Sequence, residues 1–317
     1  MTNVESQTQD TVLKIFKLAN QLLQGEDAQS DGDGQADSMA GCRIMALPQR
    51  LLEKGAEVAW RVNPVNAPSS ELPRSYATLG IQEPLALTVT TTKYWGPRPK
   101  QLSVSFMEST PADLRAKIVS HLNAWTKTVG ISFAETSGTG DVRISRGPGG
   151  YWSYLGTDIK LIPRNRPTMN LQGFTMATPD SEYHRVIRHE AGHTLGFPHE
   201  HMRKALVDRI DPVKAYAYFL RTQGWDKAMV DRQVLTPLAA NSIIGTEPDQ
   251  DSIMCYQLPG EITYDGQPIR GGKDINATDF WFASLIYPKV LHLPSDNAVD
   301  AENDWDPSED VKEVSYE

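Results

Sequence analysis

The sequence predicts an α+β fold: a twisted mixed β-sheet, two long helices and a further subdomain after the second of them. Three observations carry this. Short β-branched runs with alternating burial, such as "QLSVSFME", "ISFAET" and "DVRISR", cluster between residues 101 and 146. Two helical patterns interrupt and follow them, one over "STPADLRAKIVSHLNAWTKTVG" and one starting near Ser181. The second helix runs into "HEAGHTLGFPHEH", His189 to His201, which holds four of the chain's seven histidines.

In chain order, residues 9–24 place Val12, Ile15, Phe16, Leu18, Leu22 and Leu23 near helical spacing. The Gly-, Asp- and Ser-rich "GEDAQSDGDGQADSMAG" has almost nothing to bury and reads as a flexible linker, so residues 1–40 form an N-terminal helix and linker. Residues 41–85 hold short apolar pieces among prolines and read as a pro-segment or N-terminal lobe. The main domain spans 86–293. It opens with a strand at "LALTVTTTKYW", followed by "QLSVSFME" and then a helix with Thr110 as N-cap and Pro111 at its first position. His121 on that helix has no partner at metal spacing and reads as a surface or packing residue. After "ISFAET" and "DVRISR" come a Gly-rich turn, "GPGGYWSYLG", and a last strand at "TMNLQGFTM". The second helix covers about 181–196, and "DPVKAYAYFLRTQG" and "NATDFWFASLIY" are helical segments beyond it.

The net charge of −9 is a property of the tail. Residues 294–317 carry nine of the 40 acidic residues and one base, Lys312, leaving 31 acids against 30 bases elsewhere. The tail reads as a disordered solvating extension. With no Lys/Arg cluster, nucleic acid is not an expected partner, and no apolar run approaches the ~20 residues that span a bilayer. Two cysteines, Cys42 and Cys255, make no disulfide framework, and free thiols are the expectation.

His189 and His193 are four residues apart, which on a helix puts both imidazoles on one face, their Cβ atoms ~5–6 Å apart. Gly196 can end the helix in the left-handed conformation and let the chain bring His199 back. Three imidazoles leave a fourth position open, the arrangement of a catalytic rather than a structural zinc. In such H-E-x-x-H sites the carboxylate, here Glu190, is the general base and not a ligand. The full pattern H-E-x-x-H-x-x-G-x-x-H is the metzincin signature, which also calls for a methionine turn; "DSIMCY" supplies it at Met254. His184 and His201 fall outside the ligand spacing and read as surface residues or hydrogen-bond partners of the ligands.

With these residues in place, the chain resembles the astacin-like metzincin zinc metallopeptidases. "FPHEH" matches their continuation of the zinc motif, and "SIMCY" matches their methionine turn at Ser252, Met254 and Tyr256. "GDVRISRGPGGYWSYLGT" resembles the strand and loop of bacterial-type astacin- and matrixin-like members. The resemblance covers roughly residues 90–290 and implies a zincin-like fold with an edge strand over the cleft. It further implies one catalytic Zn²⁺ on His189, His193 and His199, and an endopeptidase acting through a zinc-activated water with Glu190 as base. Tyr256 would stabilise the tetrahedral intermediate, and an extended peptide would pair along "TMNLQGFTM". The alternative is a catalytically silent zinc-containing module that binds peptides.

The sequence departs from the family at three points. Cys255 stands where the methionine turn has a histidine, the paired cysteines of secreted animal astacins are absent, and the N-terminus shows no secretory signal. The family is usually secreted, but with no signal visible a cytoplasmic or non-classically exported protein is the expectation here, and a monomer. Glu200 would contact the new N-terminus of a processed enzyme or make a surface salt bridge, the first option hinting at a zymogen. Cys42 is a candidate latency ligand for the fourth zinc position, against an inert buried cysteine or an aspartate from the linker.

Overall fold

The computed structural model describes residues 42–63, 66, 89–90, 93–238, 243–244 and 248–289. The helix expected at 9–24, the linker and the acidic tail lie outside the described residues.

Six strands form the main sheet: β1 (Cys42–Met45), β3 (Lys100–Phe106), β4 (Ile131–Glu135), β5 (Val142–Ser145), β6 (Tyr151–Tyr154) and β7 (Met169–Leu171). Their order is β1-β6-β7-β5-β3-β4. β4, β3, β5 and β7 run parallel, whereas β6 is antiparallel to β7 and β1 is parallel to β6. Parallel neighbours need a crossover, and α2 (Ala112–Leu122) provides the one that joins β3 to β4; α1 (Leu52–Val62) follows β1 instead. The apolar face of α2, Leu114, Ile118 and Leu122, is fully buried, and so is Trp125 just beyond.

Four expectations need correction. "TMNLQGFTM" is not the edge strand: β7 is interior, with all three of its residues buried between β5 and β6. "GPGGYWSYLG" is not only a turn. Gly149 and Gly150 take positive φ and reverse the chain, and the aromatic run after them forms β6. Of the strand expected over 85–95, Val89–Thr90 (β2) pairs with Ile243–Ile244 (β8) in a separate ribbon. Tyr94 and Trp95 are buried core residues outside any strand, the N–H and C=O of Tyr94 being held by the Asn66 carboxamide at 3.1 and 2.6 Å. Thr110 does not cap α2: Pro111 takes the cap position, and the Thr110 hydroxyl donates to Glu108 O instead.

One core cluster lies around the sheet and includes Leu47, Leu51 and Val58 from the segment carrying β1 and α1. A second gathers Leu206, Ile210, Phe219, Val230, Val234, Cys255, Leu258 and Ile262 beyond the histidine stretch. It packs under α4 (Pro212–Gln223), numbered after α3 (Arg188–Thr194), the helix that carries the first two motif histidines. Asp211 caps α4 through two backbone N–H groups, and Gly224 ends it at φ +65°. Cys42 and Cys255 are both free and buried. No described helix is long and apolar enough to cross a membrane.

The last helix, α5 (Ala277–Ile286), opens with a capping box between Asn276 and Asp279. Asp279 is fully buried, and its carboxylate also accepts from Ser252 Oγ at 2.7 Å and Ile253 N at 2.9 Å. It therefore joins the start of α5 to residues 252–253. Burial raises its pKa to about 6, against three hydrogen bonds that favour the ionised form. A carboxyl raised on folding binds a proton that the unfolded chain releases, so stability falls as pH rises from about 4 to about 6. Asp279→Asn should be free of that loss. In urea titrations over this range the parent should lose up to roughly 2–3 kcal/mol relative to the variant; parallel pH profiles for the two proteins would refute the assignment.

Candidate metal centre

The chain enters the site through a short helical turn, Asp180–Glu182, and a wide π-turn, Tyr183–Ile187, before α3 begins at Arg188. Every residue of α3 from His189 to Thr194 is buried. Trp125 Nε1 donates to Arg188 O at 2.8 Å and fixes its first turn. At the other end, Gly196 N reaches His193 O at 2.8 Å and Phe197 N reaches Gly192 O at 2.9 Å. These are the two bonds of a Schellman motif, with Gly196 at φ +95° in its left-handed position. Trp95 Nε1 and the Tyr287 hydroxyl donate to Thr194 O and Leu195 O. The chain thus reverses within two residues and returns His199 to the face that carries His189 and His193.

The three imidazoles meet at their Nε2 atoms, 3.1 Å between His193 and His199 and 3.2 Å between His199 and His189. At most one of the two contacts can be a hydrogen bond, because only His199 Nε2 is left free to carry a proton. His189 Nδ1 lies 2.7 Å from Ile253 O and His193 Nδ1 lies 2.7 Å from Phe197 O. A carbonyl only accepts, so both rings carry their proton on Nδ1 and turn bare Nε2 lone pairs inward. Burial holds His189 down at about 4 and pushes His193 and His199 well below the usual histidine range, so the rings are neutral. Converging lone pairs repel unless a cation lies between them. For tetrahedral zinc with Zn–N of ~2.0–2.1 Å, neighbouring nitrogens are about 3.3 Å apart, close to the spacing observed. The donor set and its geometry fit one zinc ion.

Glu190, beside the first histidine, is fully buried, and neither carboxylate oxygen has a hydrogen bond of normal geometry among the described residues. Burial raises its pKa to about 8. The methionine turn lies against α3: Ile253 supplies the His189 acceptor, and Met254 O accepts from Glu200 N at 2.8 Å. Met254 also occupies the space over Gly192, where a Cβ would come within 2.3 Å of its sulfur. The Tyr256 ring is 5.9 Å from His199 and 5.6 Å from His201, and burial pushes its phenol above the usual range.

Cys42, on β1, lies with His189 and Glu190 such that one sulfur, nitrogen and oxygen are all within 4.8 Å of one another. Burial, reinforced by Glu190, pushes its thiol well up. His201 is buried and donates through Nε2 to Gln233 O at 3.0 Å, so it is not at the surface. His184 pairs with Asp274 at 2.9 Å and takes no part in the cluster of three histidines. Glu200 is fully buried and pairs with Arg203 at 3.6 Å, so its ion pair is not a surface one. Sequence reasoning missed Ile253 O and Phe197 O, which act through the backbone and leave no residue-type signal. It also missed Asp279 and Trp125, whose ordinary helical settings conceal their roles.

Because three buried imidazole nitrogens converge on one point, stability should depend on the metal. Chelation should lower the melting temperature by several degrees, one equivalent of Zn²⁺ should restore it, and a tenfold excess over Kd should add about 1.4 kcal/mol. An unchanged melting curve on chelation of a zinc-loaded sample would contradict this.

The family model described as Astacin, a peptidase family, matches residues 88–260. Among solved structures, one of myroilysin is 30% identical with a TM-score of 0.60, over 64% of this chain and all of its own. A second myroilysin structure is 32% identical with a TM-score of 0.48, over 62% of this chain and 86% of its own. High choriolytic enzyme 1, a hatching-enzyme zinc protease from the medaka fish Oryzias latipes, is 20% identical with a TM-score of 0.41, over 59% of this chain and 88% of its own. No curated protein sequence matches the chain. With a family match over more than half its length, and three buried imidazoles converging where that family binds zinc, this chain belongs to the astacin family of zinc metalloendopeptidases.

Proposed function

We propose that the chain cleaves protein substrates at a zinc centre formed by His189, His193 and His199, with Glu190 as general base, and that β1 holds it latent. The observation that carries this reading is the convergence of three Nε2 atoms next to a buried carboxylate, that of Glu190, which adjoins the first of the three histidines. Bound zinc supplies a Lewis acid that polarises a peptide carbonyl and acidifies water near neutral pH. Glu190 accepts the proton of the attacking water and delivers it to the leaving amine nitrogen. Its raised pKa, about 8 before a cation lowers it, suits a group that must both take and return a proton. Tyr256 stays protonated at neutral pH and donates a hydrogen bond to the carbonyl oxygen as negative charge develops there.

An extended substrate needs a strand edge to pair with. β6 is the strand next to the site, and β1 covers it with the register Cys42↔Tyr151 to Met45↔Tyr154. That pairing places the Cys42 sulfur beside His189 and Glu190, where a thiolate would complete a four-ligand zinc site and exclude water. The expected sequence of events is withdrawal of β1, then entry of an extended peptide along β6.

Two variants test the two halves of the proposal. Glu190→Ala should retain one zinc per chain and lose casein cleavage by roughly 10²–10⁴-fold; appreciable turnover in that zinc-loaded variant would refute the base assignment, and no turnover in either protein would favour a silent peptide-binding module. Cys42→Ala in the full chain should raise peptide turnover by about tenfold or more, the effect of ~1.4 kcal/mol of lost latency. Equal turnover in the two full-length proteins would dismiss Cys42 as a latency ligand.

A further inference from the structure

One side chain faces β1 from the opposite side to β6. The Gln233 carboxamide accepts from Ile44 N at 3.2 Å and donates to Ile44 O at 3.0 Å. In a strand, the N–H and C=O of one residue point to the same side, and those of its neighbours to the other. Ile44 thus presents its pair away from β6, and a single amide takes both. Only Asn and Gln carry a donor and an acceptor in one plane at this spacing, so Gln233 stands in for one residue of an absent strand.

The same device occurs twice elsewhere among the described residues. Asn66 holds the N–H and C=O of Tyr94. Asn123 holds those of Phe133, whose backbone pair points away from β3 on edge strand β4, at 2.9 and 2.8 Å. Those two join fixed parts of the scaffold. Gln233 instead reaches from the subdomain beyond the histidines to the one strand that covers the site.

Its position is rigid. Gln233 O accepts from the buried His201, Val234 next to it is buried in the second core cluster, and the Asp231 carboxylate accepts from Tyr216 OH at 2.6 Å. Carboxamide recognition reads the backbone and not the side chain, so it tolerates any residue other than proline. It also tolerates either chain direction, because rotating the amide by 180° about its last bond exchanges donor and acceptor.

Resting on the reading above that β1 occupies the substrate cleft, we infer that Gln233 is the backbone receptor of the cleft's second wall. It clasps Ile44 in this form and takes the outward-facing backbone pair of an extended peptide once β1 withdraws. β6 and Gln233 together then hold a substrate from both sides, Gln233 at one residue and β6 at the neighbours of that residue.

Two measurements on the zinc-loaded full chain test the two roles. In Gln233→Leu, alkylation of Cys42 by iodoacetamide, followed by peptide mass mapping, should be about tenfold faster than in the parent. Equal rates would overturn the clasp whether or not the protein cleaves peptides. A reporter peptide is then compared with analogues N-methylated at each backbone nitrogen in turn. Taking analogue-to-parent ratios on the same protein cancels the opening of β1. At one position methylation should raise KM about tenfold in the parent chain, with kcat little changed, and this penalty should vanish in Gln233→Leu. A penalty of equal size in both proteins would overturn the substrate role. If no peptide is turned over while Cys42 labelling still accelerates, the peptidase reading fails and the clasp stands. Should Gln233→Leu not fold, Gln233→Glu keeps the acceptor alone and should accelerate labelling by a smaller factor; no acceleration there would equally overturn the clasp.

Discussion

Two backbone carbonyls, those of Ile253 and Phe197, can only accept hydrogen bonds, and the whole site depends on that restriction. They force the protons of His189 and His193 outward and turn the Nε2 lone pairs of those two rings toward His199 Nε2 in a buried space. A dication there would be held by all three nitrogens. Much of the surrounding structure serves to place those two carbonyls. Phe197 O is set by the Schellman reversal at Gly196, and Ile253 O by the methionine turn held on Asp279.

The centre is therefore built from two separate pieces of chain that must meet. Helix α3 supplies two ligands and the carboxylate; the turn at 252–254 supplies the brace. Their contact is close enough that Gly192 has no room for a Cβ beneath Met254. Asp279 ties the turn to the last helix, while Trp95, Trp125 and Tyr287 hold the ends of α3 through carbonyls that a helix leaves unsatisfied or lends outward.

β1 adds a different constraint. It is bound by a ladder on one side and by a carboxamide on the other, with the Cys42 thiol beside His189 and Glu190. On the proposal above, β6 and Gln233 are the two walls that an extended chain would use, and both would read its backbone rather than its side chains.

The sequence by itself determined the ligand set. Four-residue spacing on a helix, a glycine three residues on and a third histidine are local geometry, and local geometry is legible from residue types. The helical segments that begin at Asp211 and Asn276 likewise follow from residues adjacent in the chain, as does the division into sheet and later subdomain. What only the tertiary structure decided involves partners far apart in sequence. The interior place of β7 and the position of β6 beneath β1 depend on strand order, which short, wholly buried or aromatic strands do not encode in their own periodicity. The proximity of Cys42 to Glu190 spans nearly 150 residues, and the Gln233–Ile44 pair spans 189. Backbone carbonyls have no letter in the sequence, so the two groups that orient the histidines became visible only when the chain had folded.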